Sequence, residues 1–390
     1  MATRSPLLDR SRVLAVLAVA YGHWIADVFG VVQSGHISPD WGSVETRLAQ
    51  WRPTSGQGVQ GAVSDVMRWA AWLTDSGVGA FLILTGLVLT LGVRTEPAAF
   101  SSPRATISWY LRRMAATLPA WVFLHFVMLA LVSAREGPAL IFDYHFWASL
   151  VGIRFTPGMF YFLVPAWWYM ALLWKCYLVF PLLYLAAQRF GAGRMAAVGI
   201  GFGLSAKAAG LLLLSPSWLE TWNRGGIVVT RLPELCLGIL VATYASRRPA
   251  AVDSTLTSAV SSPLATVAAL TLVGLAPVLG VTLLGNVFSQ LFGAIGWSMV
   301  ALWFGRLKSL PIEWLGAILF DFYLFHQIPI ELLTTRQETI TWEALAMGLA
   351  SFALGVGGAY ATNRITAPAR GAILRHSQRL KASGAETATG

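Results

Sequence analysis

Val13-Leu-Ala-Val-Leu-Ala-Val-Ala-Tyr-Gly-His23-Trp-Ile-Ala-Asp27-Val-Phe-Gly-Val-Val32 is an apolar run interrupted by only two ionisable side chains. About 20 such residues, wound as an α-helix, cross the hydrocarbon core of a bilayer. The run follows a short basic stretch, Met1 to Arg12. It is longer than a signal-peptide core and lacks a small-x-small cleavage site, so it is expected to be retained as a span. Comparable runs recur over the 390 residues, at about 76–94, 106–133, 164–187, 195–214, 232–246, 263–282, 286–305, 314–333 and 342–362. With the first, they make about ten transmembrane helices. Only 12% of the residues are charged, against about a quarter in soluble domains, so lipid is the expected solvent. The expectation is an all-α polytopic protein of the cell (plasma or inner) membrane. Residues 1–366 form one transmembrane domain, and 367–390 form a basic, flexible cytoplasmic tail.

Orientation turns on the basic segment Gln188-Arg-Phe-Gly-Ala-Gly-Arg194 and on the aromatic stretch near 138–160. Asp143, His145, Arg154 and Pro157 interrupt that stretch. If it does not cross, most of the 28 Lys and Arg residues fall on one side of the membrane. The positive-inside rule makes that side cytoplasmic. Both termini are then cytoplasmic, and 138–160 is an extracytoplasmic, non-crossing segment. The net charge of +10 is therefore read as orientation, and nucleic-acid binding is not expected. Cys176 and Cys236 lie in apolar runs and read as buried small side chains, with no disulfide framework and no metal site. Gly199 and Gly203 have the small-xxx-small spacing of closely packed helices.

Ionisable groups inside spans are costly and by default mark a functional cavity. His23, Asp27, Glu234, Asp321 and His326 stand out, with His125, Lys175 and Lys207 as weaker cases. Arg12 and His23 are 11 residues apart, close to three helical turns, so they project from one face about 16 Å apart along the axis. Asp27 is one turn further on, within reach of His23, where a carboxylate would orient an imidazole acting as a general base. Adjacent Arg112 and Arg113 open the third span on the membrane side of Arg12, where the three would bind a phosphate-rich ligand. The bland readings are polar helix contacts for the histidine and a topology signal for the arginines.

Six stretches, in order over most of the chain, resemble the acyltransferase 3 family of membrane O-acyltransferases. They are the Arg12-x10-His23 spacing; Gly77-Val-Gly-Ala-Phe81 through Thr85-Gly86; Arg112-Arg-Met-Ala-Ala116-Thr-Leu-Pro119; Trp168 through Tyr177 and Pro181; Arg231-Leu-Pro-Glu234-Leu-Cys-Leu-Gly238; and Leu315-Gly316 through Tyr323-Leu-Phe-His326. Two positions depart from the pattern: Ala116 stands where the family carries a third arginine, and Leu173 where many members carry glutamate. The resemblance implies acetyl-CoA or another acyl-CoA as donor, held by Arg12, Arg112 and Arg113. It implies catalysis by His23 with Asp27 and His326, and substrate binding by Trp168, Tyr177 and Glu234. The expected reaction moves an acyl group, acetyl in the first instance, from cytoplasmic acyl-CoA to a hydroxyl of an extracytoplasmic glycan or glycolipid. The acceptor would approach through loop 33–75 and segment 138–165, whose Trp41, Trp51, Trp69, Phe155, Phe160, Tyr161 and Trp167 suit sugar stacking or, equally, a membrane interface. A transporter or flippase is the competing class, since broken spans with buried charges also suit a permease; the absence of an internal repeat argues against it. A scaffold or sensor with a degenerate site is a third reading.

Overall fold

The computed structural model describes residues 5–29, 58–96, 98–247, 252–309, 312–337 and 339–386. The end of the first expected span (30–32) and loop residues 33–57, with Trp41 and Trp51, lie outside the described residues. The described residues are helices joined by short turns. In chain order they are α1 (Pro6–Phe29), α2 (Gly58–Thr74), α3 (Gly77–Arg94), α4 (Pro103–Glu136), α5 (Tyr144–Leu150), α6 (Trp168–Phe190), α7 (Ala192–Leu213) and α8 (Pro216–Arg224). They continue with α9 (Leu232–Ala245), α10 (Val252–Ser261), α11 (Pro263–Gly280), α12 (Leu283–Gly305), α13 (Glu313–Ala317), α14 (Leu319–Phe325), α15 (Gln327–Leu333) and α16 (Trp342–Glu386). Among these residues nine helical spans are long and apolar enough to cross a membrane. The protein is an all-α, multi-pass membrane protein.

The expected span 314–333 is not a single helix. It is broken into α13, α14 and α15. Pro329 lacks an N–H, and its ring crowds the Phe325 carbonyl, which loosens the helical hydrogen-bond ladder at His326. The segment nevertheless runs from one end of α1 to the other. At its start Glu313 pairs with Arg10, and just past its end the Gln337 N–H donates to the Val28 carbonyl at 2.7 Å. Arg10 and Val28 are about 27 Å apart along a helix axis, the height of a hydrocarbon core. Broken backbone at that depth is tolerated where protein buries it.

Residues 58–74, expected in an outer loop, form α2 instead, and α2 and α3 make one span, Gly58–Arg94, interrupted at Asp75 and Ser76. Segment 138–160 holds only short elements, a 3-10 helix at Pro138–Phe142, α5 and one turn at Pro157–Phe160, none long enough to cross. Arg154 organises it from a fully buried position. Its guanidinium donates to Ser149 Oγ at 2.6 Å, to the Phe160 and Val164 carbonyls at 3.2 Å, and to the Phe162 carbonyl. His125 belongs to the same cap: its Nδ1–H donates to the Trp121 carbonyl at 2.9 Å, and Nε2 lies 3.0 Å from Ser149 Oγ. It is a satisfied core histidine.

The tail differs most from expectation. Residues 367–386 are not loose but continue α16. The Ser108 hydroxyl donates to the Ser377 carbonyl at 3.0 Å, and the Ser377 hydroxyl to the Ser108 carbonyl at 3.0 Å, tying α16 to α4. Small residues set the other close approaches, as their spacing predicts. A side chain on Gly199 would meet Cys236, and one on Gly203 would meet Pro233, where α7 packs on α9. Gly86 of α3 and Gly238 of α9 lie backbone to backbone, each meeting the other's Cα.

Candidate active site

Arg12, on α1, and Arg112 and Arg113, on α4, line one cavity of about 230 Å³. Thr85, Ala116, Tyr177, Gly316, Asp321 and Arg370 share its wall. Four guanidinium groups thus face one carboxylate, which makes the cavity an anion site. The cations are not equivalent. Arg112 is engaged: it donates to Ser108 Oγ at 2.8 Å and pairs with Glu96 at 2.5 Å. Arg370 pairs with Asp321, which also accepts from Asn363 Nδ2 at 2.8 Å. Arg12 and Arg113 have no carboxylate partner among the described residues, and the Nε atom of each is buried without a hydrogen-bond partner. They rest on aromatic faces, Arg12 over Phe81 and Arg113 over Trp109, each 5.4 Å from the ring centroid. A buried guanidinium N–H without an acceptor is costly unless a ligand supplies one.

Phe81 begins a continuous line of ring contacts to the histidines. Phe81 and Tyr169 are 5.5 Å apart between centroids, Tyr169 and Tyr323 5.2 Å, Tyr323 and His326 5.5 Å, and His326 and His23 5.5 Å. Val16, Val19, Val78, Phe81, Tyr169 and Tyr323 enclose a hollow of only about 10 Å³ between the arginine cavity and the histidine pair. About one water fits a space of that size.

His326 sits at the break before Pro329, between α14 and α15, and is 2% exposed. Its Nδ1 lies 2.7 Å from the Tyr323 carbonyl. A carbonyl only accepts, so Nδ1 carries the proton and Nε2 of the neutral ring is a bare acceptor. That Nε2 is buried and has no hydrogen-bond partner. An oriented imidazole with an unoccupied basic nitrogen has the form of a general base. His23 provides the second ring, and buried Arg224 lies within its electrostatic reach.

The expected His23–Asp27 pair is not formed. One turn of α1 brings the two residues close, but the His23 ring is tilted against that of His326, and no hydrogen bond joins it to Asp27. Asp27 lies within electrostatic reach of Arg336 and Glu331, and its Oδ2 is buried without a hydrogen-bond partner. Tyr177 lines the arginine cavity. Trp168 stacks on Phe160 at 5.1 Å and lines none of these hollows, and buried Glu234 accepts from Arg231 at 2.8 Å. The structure thus unites Arg12, Arg112, Arg113 and Tyr177 in one cavity, and His23 with His326 a short way beyond.

The acyltransferase 3 family, described as an acyltransferase domain, matches residues 6–364. The chain belongs to the acyltransferase 3 family. It is a membrane acyltransferase. Comparison with curated proteins and with solved structures finds no match. Several of the family positions quoted from the sequence meet in space: Arg12, Arg112 and Arg113 around the cavity, Phe81 and Tyr323 along the aromatic line, His23 and His326 at its end. Gly86 and Gly238 are the close-packing glycines.

Sequence reasoning passed over Trp24, Tyr169 and the pairing of Asp321 with Arg370. Arg370 lies beyond the family match, in the stretch read as a tail, yet it lines the same cavity as Ala116, which stands where the family carries its third arginine. The signal available was an ionisable residue, Asp321, inside a span and in need of a cation. A network of Tyr161, Glu220, Arg224 and Asp75 was also missed. Tyr161 donates to Glu220 at 2.6 Å, and Arg224 pairs with Glu220 at 2.6 Å and Asp75 at 3.1 Å.

Proposed function

We propose that this membrane acyltransferase takes an acyl group, acetyl in the first instance, from acyl-CoA held at the arginine cavity and passes it to an acceptor hydroxyl at the His23–His326 pair. One observation carries this reading. Arg12 and Arg113 have partnerless buried Nε atoms in an anion cavity, and Arg12 connects through rings in contact to a histidine whose Nε2 is also partnerless. Phosphate oxygens would satisfy the guanidinium groups. The pantetheine arm would then follow α1, whose Arg12-to-His23 rise of about 16 Å suits an extended chain. His326 Nε2 takes the hydroxyl proton as the oxygen attacks the thioester carbonyl. The C–O bond forms, the C–S bond breaks, and the proton passes to the departing thiolate.

Orientation follows from charge. Lys and Arg cluster at the Arg12 end, which the positive-inside rule makes cytoplasmic, so both termini are cytoplasmic and the acceptor is extracytoplasmic. A glycan or glycolipid of the cell envelope is the acceptor class that fits, and the plasma or inner membrane is the location.

The test is acetyl-CoA binding and turnover by the purified protein in detergent. The reading predicts saturable binding and release of free CoA thiol that stops in His326→Gln while donor binding persists. Well-folded wild-type protein that binds no acyl-CoA would overturn it.

A further inference from the structure

His326 also forms the inner wall of a second, larger hollow. A groove of about 670 Å³ runs between α1, α14–α15 and the start of α16. Leu17, Ala20, Phe322, Ile330, Leu345 and Leu349 make its surface apolar. Its rim faces the hydrocarbon: Trp342 is 81% exposed and Leu349 72%. On α1 it covers Leu17 to Trp24, the half of the helix opposite Arg12. The arginine cavity and the groove thus approach the histidine pair from opposite halves of the bundle.

The hydroxyls of Tyr21 and Ser351 in the lining have carbonyl partners, but two other polar atoms do not. Trp24 Nε1, a donor, and His326 Nε2, an acceptor, both belong to groove residues, and both are buried without a hydrogen-bond partner. A second apolar hollow, on α10–α12 and lined by Val260, Ala269, Leu270 and Trp303, contains no titratable side chain.

We propose that the groove is the acceptor site and that the acceptor is a lipid-borne alcohol, a reading that rests on the acyl transfer proposed above. Its aliphatic chain lies along Leu17, Leu345 and Leu349, and its hydroxyl donates to His326 Nε2. The Trp24 indole N–H is left for an oxygen of the headgroup. A water-soluble acceptor would leave the groove to bulk lipid and Trp24 Nε1 without a partner. The donor's acyl chain, arriving from the arginine side, would have to cross the line of rings from Phe81 to His326 to reach the groove. During transfer the acceptor oxygen bonds to the acyl carbon as the C–S bond breaks, and its proton moves through His326 to the leaving thiolate.

The experiment uses full-length protein in lipid nanodiscs with acetyl-CoA as donor and dodecyl β-glucoside or methyl β-glucoside as acceptor probe. Ala346→Trp fills the groove from its exposed lipid side, and Leu270→Trp, in the other hollow, is the control. The expected result is a preference for the dodecyl probe that Ala346→Trp lowers by on the order of tenfold in kcat/KM. Leu270→Trp leaves the preference intact, and acetyl-CoA binding is unchanged in both. Trp24→Phe raises the KM for the dodecyl probe without altering that for acetyl-CoA. Equal use of the two probes, or a preference that survives Ala346→Trp, overturns the proposal. So does an Ala346→Trp effect that appears only with octanoyl-CoA in place of acetyl-CoA, which would put the donor chain in the groove. Saturable binding of labelled dodecyl glucoside, lost in Ala346→Trp, reads the groove without catalysis. Its absence from wild-type protein that still consumes acetyl-CoA overturns the groove assignment alone. Absence of acetyl-CoA binding overturns the acyltransferase reading instead.

Discussion

Replacing Arg12 or Arg113 with glutamine removes a cation that has no carboxylate partner, so little but ligand binding should change. Neither substitution orphans an acidic group, and each relieves a partly buried charge, so folding stability is expected to hold or rise. The loss in donor affinity is that of one charge-assisted hydrogen bond to a phosphate, about 1.5–3 kcal/mol. That corresponds to roughly a 10- to 150-fold weaker Kd. Arg112→Gln should cost less, because Glu96 already neutralises part of its charge. The assay is CoA binding by calorimetry in detergent, with thermal unfolding measured alongside. A parallel titration with acetyl-pantetheine, which has no phosphate, completes the cycle: its affinity should be the same in wild type and variants. Undiminished CoA affinity in folded Arg12→Gln and Arg113→Gln protein would refute the assignment of these arginines, and so would an equal loss with acetyl-pantetheine.

Two further outcomes follow from particular contacts. Arg154→Ala removes hydrogen bonds to Ser149 and to the Phe160, Phe162 and Val164 carbonyls; thermal unfolding should show a loss of about 3 kcal/mol or more. Asp321→Asn frees Arg370 within the anion cavity, so CoA binding should tighten, while Arg370→Gln should weaken it by less than Arg12→Gln does; unchanged CoA affinity in both would remove Arg370 from the donor site.

Much of this site could be read in the chain because it is written in helical periodicity. Arg12 and His23 share a face of α1 at a spacing that survives any detail of packing. Arg112 and Arg113 lie near the basic end of the third apolar run, where their charge is expected close to the membrane surface. The Asp27 partnership failed because an i,i+4 spacing makes two side chains neighbours without fixing where either points. Arg370 went unseen because its approach to Asp321 spans 49 residues and depends on α16 continuing past the membrane to pack on α4. The break at His326 was legible after the fact in Pro329, yet the apolar run around it reads as an unbroken span. Trp24 looked like any interfacial tryptophan, since only the fold shows its indole N–H without a partner.

The central claim, acyl transfer at the histidine pair, is tested most directly by thiol release from acetyl-CoA in wild type, His326→Gln and His23→Gln, with donor affinity measured on the same samples. The account predicts that His326→Gln loses turnover by about 10²- to 10⁴-fold, the usual worth of a positioned general base, and that His23→Gln is also impaired. Donor Kd should stay at the wild-type value in both. Undiminished turnover in folded His326→Gln protein, or loss of donor binding in step with turnover, would contradict it.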